Sequence, residues 1–213
     1  MTKTLDLDAI RTTEVVNIPY PYFVVENAIH SERLQQLVAD FPPISRGGSF
    51  PLESLELKSS YDNLASEFAG EELRTILEDK FSIDLSDRPV LVTARGYSRA
   101  KDGRIHTDSR TKLITLLLYL NDDWQEQTGN LRILNNGNSL EDYAQEIPSR
   151  AGTLLVFKVT DNCWHGYPSF EGKRCSLQIN YITSDAAASK HNHLHRLSAK
   201  MKSWFGKTST ESI

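Results

Sequence analysis

Long apolar runs and cysteines are both scarce in this sequence of 213 residues. The longest apolar run, LITLLLYL at 113–120, has eight residues, whereas a membrane-spanning helix needs about 20. The two cysteines, Cys163 and Cys175, have no zinc-site spacing and cannot form a disulfide framework. The N-terminal segment has acidic and polar residues where a secretory signal needs an apolar stretch. The sequence therefore predicts a cytoplasmic chain with free thiols and no transmembrane span.

Clustered basic residues are missing from most of the chain. Residues 1–185 hold 19 Lys and Arg against 27 Asp and Glu, a net charge of −8. A nucleic-acid binder needs clustered cations to contact phosphates. We therefore expect no nucleic-acid partner for this part of the chain.

The last segment, 186–213, has the opposite balance, a net charge of +4. Its apolar residues recur at helical spacing and predict a basic amphipathic helix: Leu194, Leu197, Met201, Trp204 and Phe205. Such a helix most often docks on its own domain or on a second subunit, which would make a homodimer. Peripheral contact with an anionic membrane surface, or contact with phosphate, is the alternative.

One domain is expected for residues 1–185, because this length fits one core and is short for two enzyme domains. The first part, 1–88, is predicted to support the core of the domain. It has a strand-like aromatic run and a helix within 18–43, then a long loop at 44–63 and a helix at 64–81. Asn27 or Ser31 is the expected cap of the first helix.

The second part, 89–185, changes to short β runs separated by turn residues. At least six are recognisable: VLVTARGYSR, KLITLLLYLND, GNLRILN, AQEIP, GTLLVFKV and CSLQINYIT. So many strands without intervening helices favour a sandwich or barrel over an alternating β/α sheet. The sequence therefore predicts a mainly β core behind supporting helices.

His106 and Asp108 form an HxD pair just before the strand KLITLLLYL. Residues i and i+2 of an extended backbone point to the same face, so an imidazole and a carboxylate can meet at one ion. His165, in the segment NCWHGY, is the best candidate for a third ligand. Two His and one carboxylate leave open coordination positions, as in non-haem Fe(II) oxygenases.

Arg174 lies nine residues beyond His165 at the start of a strand, with Ser176 two residues further on the same face. A guanidinium at this place can bind a dicarboxylate bidentately, and the hydroxyl can add a third hydrogen bond. We therefore predict that Arg174 and Ser176 bind an acidic co-substrate.

Three stretches carry a resemblance to a known family: GYSRAKDGRIHTDS, LLYLNDDWQEQTGNLRIL and WHGYPSFEGKRCSLQINY. They resemble the 2-oxoglutarate- and Fe(II)-dependent oxygenases, most closely the prolyl 4-hydroxylase-like branch, over roughly residues 89–183. The resemblance implies a double-stranded β-helix, or jelly roll. It also implies Fe(II), O2 and 2-oxoglutarate, with ascorbate as an accessory reductant. His106, Asp108 and His165 would bind the iron, and Arg174 the co-substrate.

The resemblance also implies two aromatic contacts to the co-substrate. Tyr97 matches a tyrosine that lines the family's co-substrate pocket, and Tyr119 matches one that bonds the distal carboxylate of 2-oxoglutarate. The expected reaction is hydroxylation of a C–H bond, with 2-oxoglutarate converted to succinate and CO2. The substrate, small or peptidyl, stays open, because Gly166-Tyr167 and Asn180 differ from the hypoxia-type prolyl hydroxylases near the mouth of the barrel.

Two other functions are compatible with a jelly roll. A non-catalytic module that binds a small molecule or sugar would keep the pocket without turnover. A cupin-type metal hydrolase or isomerase usually needs another His or a Glu where Asp108 stands. The complete ligand set together with Arg174 favours the dioxygenase over both.

Overall fold

The computed structural model of the chain describes residues 3–184. The predicted amphipathic helix and the contacts expected of it lie outside these residues. Within residues 3–184, no helix is long and apolar enough to cross a membrane. Both cysteines in this part of the chain are free, as predicted, and both are buried.

Four helices and nine strands make up the described chain. The helices are α1 (Leu7–Thr12), α2 (Ser31–Ala39), α3 (Ser59–Phe68) and α4 (Glu71–Phe81), with a short 3-10 turn at Leu52–Ser54. The strands are β1 (Tyr22–Val25), β2 (Phe50–Pro51), β3 (Val90–Ser98), β4 (Lys112–Tyr119), β5 (Leu131–Leu134), β6 (Tyr143–Ile147), β7 (Leu154–Lys158), β8 (His165–Gly166) and β9 (Gly172–Ile182). The six predicted β runs correspond to β3–β7 and β9.

The strands form two antiparallel sheets. The major sheet has the order β1-β7-β4-β9-β3-β2, and the minor sheet has the order β6-β5-β8. The outer strands of the major sheet, β1 and β2, come from the first 88 residues, so the predicted supporting segment also completes the sheet at both edges.

Both faces of the major sheet are buried, which explains why the run at 113–120 is apolar without alternation. On β4, Ile114, Leu116 and Leu118 pack into the core beneath the helices. Tyr119 points the other way and packs in a second core between the two sheets. On β9 one face carries Cys175, Leu177, Ile179 and Tyr181 toward the helices. The opposite face of β9 is polar and belongs to the space between the sheets.

Three sequence predictions about the supporting segment are wrong. The helix expected at 64–81 is two helices, α3 and α4, because the chain turns at Ala69-Gly70 and Gly70 caps the second helix. The stretch 44–63, expected as a loop, contains the edge strand β2, the 3-10 turn and the start of α3. Helix α2 begins at Ser31 with His30 as its N-cap residue, without a side-chain capping bond, so neither Asn27 nor Ser31 is the cap.

The contact between β1 and the helices should contribute strongly to stability. Phe23 on β1 is buried and stacks on Phe81 of α4, with ring centroids 5.7 Å apart. Phe23→Ala would leave a cavity and is expected to cost about 3–5 kcal/mol in the free energy of unfolding. Val16→Ala, at a residue that is 44% exposed, should change stability by less than about 0.5 kcal/mol. Chemical denaturation checks both values, and equal losses would contradict the assigned packing.

Candidate metal and co-substrate site

A cavity of about 90 Å³, open to solvent, lies between the two sheets. Its walls come from β3, β4 and β9 of the major sheet, from β5 and β8 of the minor sheet, and from the loop before His106. The lining residues are Arg95, Gly103, His106, Asp108, Thr115, Leu117, Tyr119, Leu131, His165, Gly166, Tyr167, Arg174, Ser176 and Gln178. The cavity thus contains all of the residues predicted for metal and co-substrate binding except Tyr97.

His106, Asp108 and His165 converge in this cavity. One potential ligand atom from each lies within 4.8 Å of those of the other two. The two histidines are held together by a reciprocal pair of backbone hydrogen bonds, each 3.0 Å long. Their ring centroids are 4.3 Å apart. The fold therefore brings together three side chains that are up to 59 residues apart in the sequence.

Backbone carbonyl groups fix the orientation of both imidazole rings. The Nδ1 atom of His106 lies 2.8 Å from the carbonyl oxygen of Arg104, and Nδ1 of His165 lies 2.8 Å from that of Cys163. Since a carbonyl can only accept, each Nδ1 carries a proton, so in the neutral ring Nε2 is the nitrogen whose lone pair can bind a metal. Burial, with a smaller contribution from His106, lowers the pKa of His165 to about 4. This ring is therefore neutral at pH 7, as a metal ligand must be.

The Asp108 carboxylate is buried and accepts hydrogen bonds at both oxygens. The Lys112 ammonium donates to Oδ1 at 2.7 Å, and the Thr115 hydroxyl donates to Oδ2 at 2.5 Å. Burial acts to raise the pKa of Asp108, but the Lys112 charge and these hydrogen bonds outweigh it, together with the His165 charge when that ring is protonated in acid, so the pKa is lowered. Asp108 is therefore ionised at neutral pH and can act as an anionic ligand.

Behind Thr115 the hydrogen bonds continue across the major sheet. The Asn180 amide donates to the Thr115 hydroxyl at 2.8 Å, and the Gln178 amide donates to the Asn180 carbonyl at 3.2 Å. Thr115 and Asn180 are directly opposite each other on β4 and β9. Each of these three hydrogen bonds is donated toward Asp108, so the hydrogen-bond network fixes the orientation of that carboxylate.

The Thr115 hydroxyl should matter for metal affinity, because groups that orient a ligand typically contribute about 10–100-fold to metal binding. Thr115→Val keeps the side-chain shape and removes the donor to Asp108. We expect its affinity for Zn(II), measured by competition with a chromophoric chelator, to fall within that range. Thr75→Val on α4 is the matched control and should bind Zn(II) like the wild type. Equal affinities of the two variants would show that the hydroxyl does not orient the ligand.

Arg174 is buried in the cavity wall between two aromatic rings. Its guanidinium carbon lies 4.3 Å from the ring centroid of Tyr167 and 5.1 Å from that of Tyr119. Nε donates to the carbonyl of Gly129 at 2.8 Å, and Nη2 lies 3.4 Å from the Tyr119 hydroxyl. These contacts fix the plane of the guanidinium and leave further N–H groups for an anion.

Tyr119 and Ser176 stand beside Arg174, opposite each other on β4 and β9. Burial raises the pKa of Tyr119, although the Arg174 charge opposes that effect. The phenol is therefore protonated at neutral pH and can donate to a carboxylate. Both residues line the cavity, as their predicted roles require.

Tyr97 does not line the cavity, contrary to the expectation from the resemblance. The pairing of β3 with β9 shifts between Arg95 and Tyr97, so that Arg95 is opposite Ser176 but Tyr97 is opposite Lys173. The Tyr97 hydroxyl lies 3.4 Å from Oε1 of Glu171, in an exposed contact. The irregularity turns Tyr97 away from the cavity, and a single strand's sequence does not reveal it.

Tyr167 occupies the wall instead and was not among the predicted site residues. Its hydroxyl lies 3.0 Å from Oγ of Ser98, and its ring packs on Gly103. Gly103 has a φ of +82°, and a Cβ there would come within 2.5 Å of the Tyr167 ring. Only glycine fits this position, which places the loop before His106 directly against the aromatic wall.

Comparison with known proteins gives a consistent family and fold. Residues 93–182 match the model of the 2OG-Fe(II) oxygenase superfamily. No curated protein sequence matches the chain significantly.

Solved structures share the fold at low sequence identity. A prolyl-4-hydroxylase of Pseudomonas putida is 17% identical, with a TM-score of 0.55 over 83% of this chain and 91% of that one. A prolyl 4-hydroxylase of Phytophthora capsici is 16% identical, with a TM-score of 0.53 over 92% and 77%. HygX of Streptomyces hygroscopicus, solved with nickel and 2-oxoglutarate bound, is 13% identical, with a TM-score of 0.51 over 86% and 87%. These likenesses confirm the predicted jelly-roll fold with supporting helices.

Proposed function

Because the chain belongs to the 2-oxoglutarate- and Fe(II)-dependent oxygenase superfamily, we propose that His106, Asp108 and His165 bind its iron and that Arg174 binds its 2-oxoglutarate. The protein is then a dioxygenase that hydroxylates a C–H bond. The observation that carries this proposal is the convergence of two Nε2 lone pairs and one ionised carboxylate beside a buried, aromatic-flanked guanidinium.

The donor set fits Fe(II). Two neutral imidazoles and one carboxylate are the ligands of non-haem Fe(II) oxygenases, and they leave coordination positions open. When bound, ferrous iron supplies the O2 chemistry that couples decarboxylation of 2-oxoglutarate to succinate and CO2 with insertion of one oxygen atom into a C–H bond. Ascorbate would keep the iron in its ferrous state between turnovers.

The protein's own groups hold the co-substrate. The N–H groups of Arg174 that face the cavity bind the distal carboxylate of 2-oxoglutarate, and the protonated Tyr119 hydroxyl donates to the same carboxylate. Ser176 lies opposite Tyr119 and can add a further hydrogen bond. The apolar side chains of Leu117 and Leu131 also line the cavity and limit the access of water to the bound co-substrate.

A prolyl residue is the first substrate to test, because two of the fold relatives are prolyl 4-hydroxylases. Free amino acids and carbohydrate-linked molecules are the other candidates. Tyr167 and Asn180, which distinguish this chain from the hypoxia-type enzymes, lie in or next to the cavity. The substrate is therefore chosen by experiment among these classes, and a cytoplasmic location and a homodimer are part of the same proposal.

The experiment is a turnover assay with Fe(II), ascorbate and 2-oxoglutarate. We expect slow succinate release without a substrate, and faster release with a proline-containing peptide, a free amino acid or a nucleotide sugar. Omission of 2-oxoglutarate or addition of a chelator should stop it. Binding of 2-oxoglutarate without succinate release under any condition would instead indicate the non-catalytic binding module.

A further inference from the structure

The cavity contains a second guanidinium for which the proposed function has no role, that of Arg95. We propose that Arg95 forms an anion-binding subsite for the primary substrate, so that the substrate carries a carboxylate or phosphate group close to the C–H bond that is oxidised. This inference rests on the proposed function, because it assigns Arg174 and the metal to 2-oxoglutarate.

The sheet register places Arg95 beside the co-substrate residues. Arg95 on β3 is opposite Ser176 on β9, which is in turn opposite Tyr119 on β4. The three residues form one row across the major sheet, and all three line the cavity. Arg95 is half-buried, whereas Arg174 is buried. Arg95 is therefore the more accessible of the two guanidinium groups.

Within residues 3–184, the Arg95 guanidinium has neither a hydrogen-bond partner nor an ion pair. The acidic side chain whose pKa it helps to lower is Asp102. The Asp102 carboxylate, however, is bound by Arg99, through Nε at 3.1 Å and Nη2 at 2.9 Å. A cation that lines a cavity without a partner is available for an anionic ligand, and a guanidinium can bind carboxylate or phosphate bidentately.

The charges that line the cavity also leave room for an anion. Asp108 is the single acid among the lining residues, whereas Arg95 and Arg174 are both cationic. Ferrous iron and the 2-oxoglutarate dianion cancel, and the Asp108 carboxylate is already paired with the Lys112 ammonium. Positive charge from the guanidinium groups therefore stays uncompensated when iron and co-substrate are bound, and an anionic substrate would neutralise part of it.

The chain around Arg95 would attract such a substrate. The segment 93–106 has four basic residues, Arg95, Arg99, Lys101 and Arg104, against the single acid Asp102. It runs from β3 to the metal-binding pair in a body that is otherwise acidic. A local positive potential at the mouth of a cavity raises the rate at which anions arrive.

The test follows the arginine Nε–H signals of isotopically labelled, full-length protein by NMR. In the first step, Zn(II) and 2-oxoglutarate are added to the wild-type protein. The Arg174 Nε–H signal, assigned by its absence from the spectrum of Arg174→Gln, should shift. No shift in this step would count against the proposed function, not against the subsite.

In the second step, acetate or inorganic phosphate is titrated at constant ionic strength. The Arg95 Nε–H signal of the wild type is assigned by its absence from the spectrum of Arg95→Gln. It should shift saturably with anion concentration, with an apparent affinity about tenfold or more above that shown by the exposed Arg104. The better of the two anions indicates a carboxylate or a phosphate substrate. In Lys101→Gln, which changes the same basic segment outside the cavity, the Arg95 response should persist. The proposal would be overturned if the Arg95 signal did not saturate, or if its apparent affinity for the anion were the same as that of the Arg104 signal.

A kinetic measurement separates this role from co-substrate binding. Arg95→Gln should keep the KM for 2-oxoglutarate in uncoupled succinate release within about threefold of the wild type, because Arg174 binds the co-substrate. A rise of about tenfold or more would reassign Arg95 to 2-oxoglutarate and would overturn the subsite.

Discussion

His106→Ala is expected to abolish 2-oxoglutarate-dependent succinate release. On the proposed assignment the variant loses one of two nitrogen ligands, and the imidazole of His165 and the Asp108 carboxylate cannot replace it. Changes to groups that merely orient a ligand lower metal affinity or activity by about 10–100-fold. Removal of a ligand itself should therefore lower the activity by more than about a hundredfold. Succinate release at saturating Fe(II) and 2-oxoglutarate measures the effect.

His30→Ala is the matched control for this experiment. His30 stands at the N-terminus of α2, and its Nδ1 lies 3.9 Å from Asp6, outside the cavity. This variant should release succinate at the wild-type rate. Circular dichroism of both variants shows whether the fold is kept. Equal activity of His106→Ala and His30→Ala would refute the assignment of His106 as an iron ligand.

Arg174→Gln is expected to raise the KM for 2-oxoglutarate by at least about thirtyfold, since removing one partner of a buried charge pair costs about 2 kcal/mol or more. The neutral amide cannot pair with the distal carboxylate. Arg174→Lys keeps the charge without the planar fork and should give an intermediate KM. Initial rates over a range of 2-oxoglutarate concentrations measure the KM.

The structural role of Arg174 must be separated from its binding role, because its Nε also donates to the Gly129 carbonyl. Thermal unfolding of the same variants reports the structural part. Lys101→Gln, an exposed change in the nearby basic segment, should keep the KM of the wild type. A destabilised Arg174→Gln with an unchanged KM would mean that Arg174 supports the loop at Gly129 and does not bind the co-substrate.

Local rules predict two parts of the site, whereas the meeting of His165 with the HxD pair is not local and was predictable only from the order of the motifs along the chain. The HxD spacing places two side chains on one face, and the same rule places Ser176 beside Arg174. The β runs of the core were recognisable because each is bounded by turn residues. These features depend on residues two or three positions apart, which a sequence displays directly.

Other parts of the site depend on pairing between distant strands. Thr115 orients Asp108 with the help of Asn180, and these two residues meet only because β4 and β9 pair in one register. Arg95 likewise enters the cavity through the register of β3 against β9. Tyr97 leaves it because that register shifts. No periodicity within a single strand contains this information, so the structure was needed to find these residues.

Anaerobic titration of the wild-type protein with Fe(II) in the presence of 2-oxoglutarate tests the central claim most directly. We predict that one ferrous ion binds per chain and that a visible charge-transfer absorption develops only when both iron and 2-oxoglutarate are present. In Asp108→Ala or His165→Ala this absorption should be lost. A wild-type protein that binds 2-oxoglutarate but develops no such absorption with Fe(II) would contradict the claim that these three side chains hold iron beside the co-substrate.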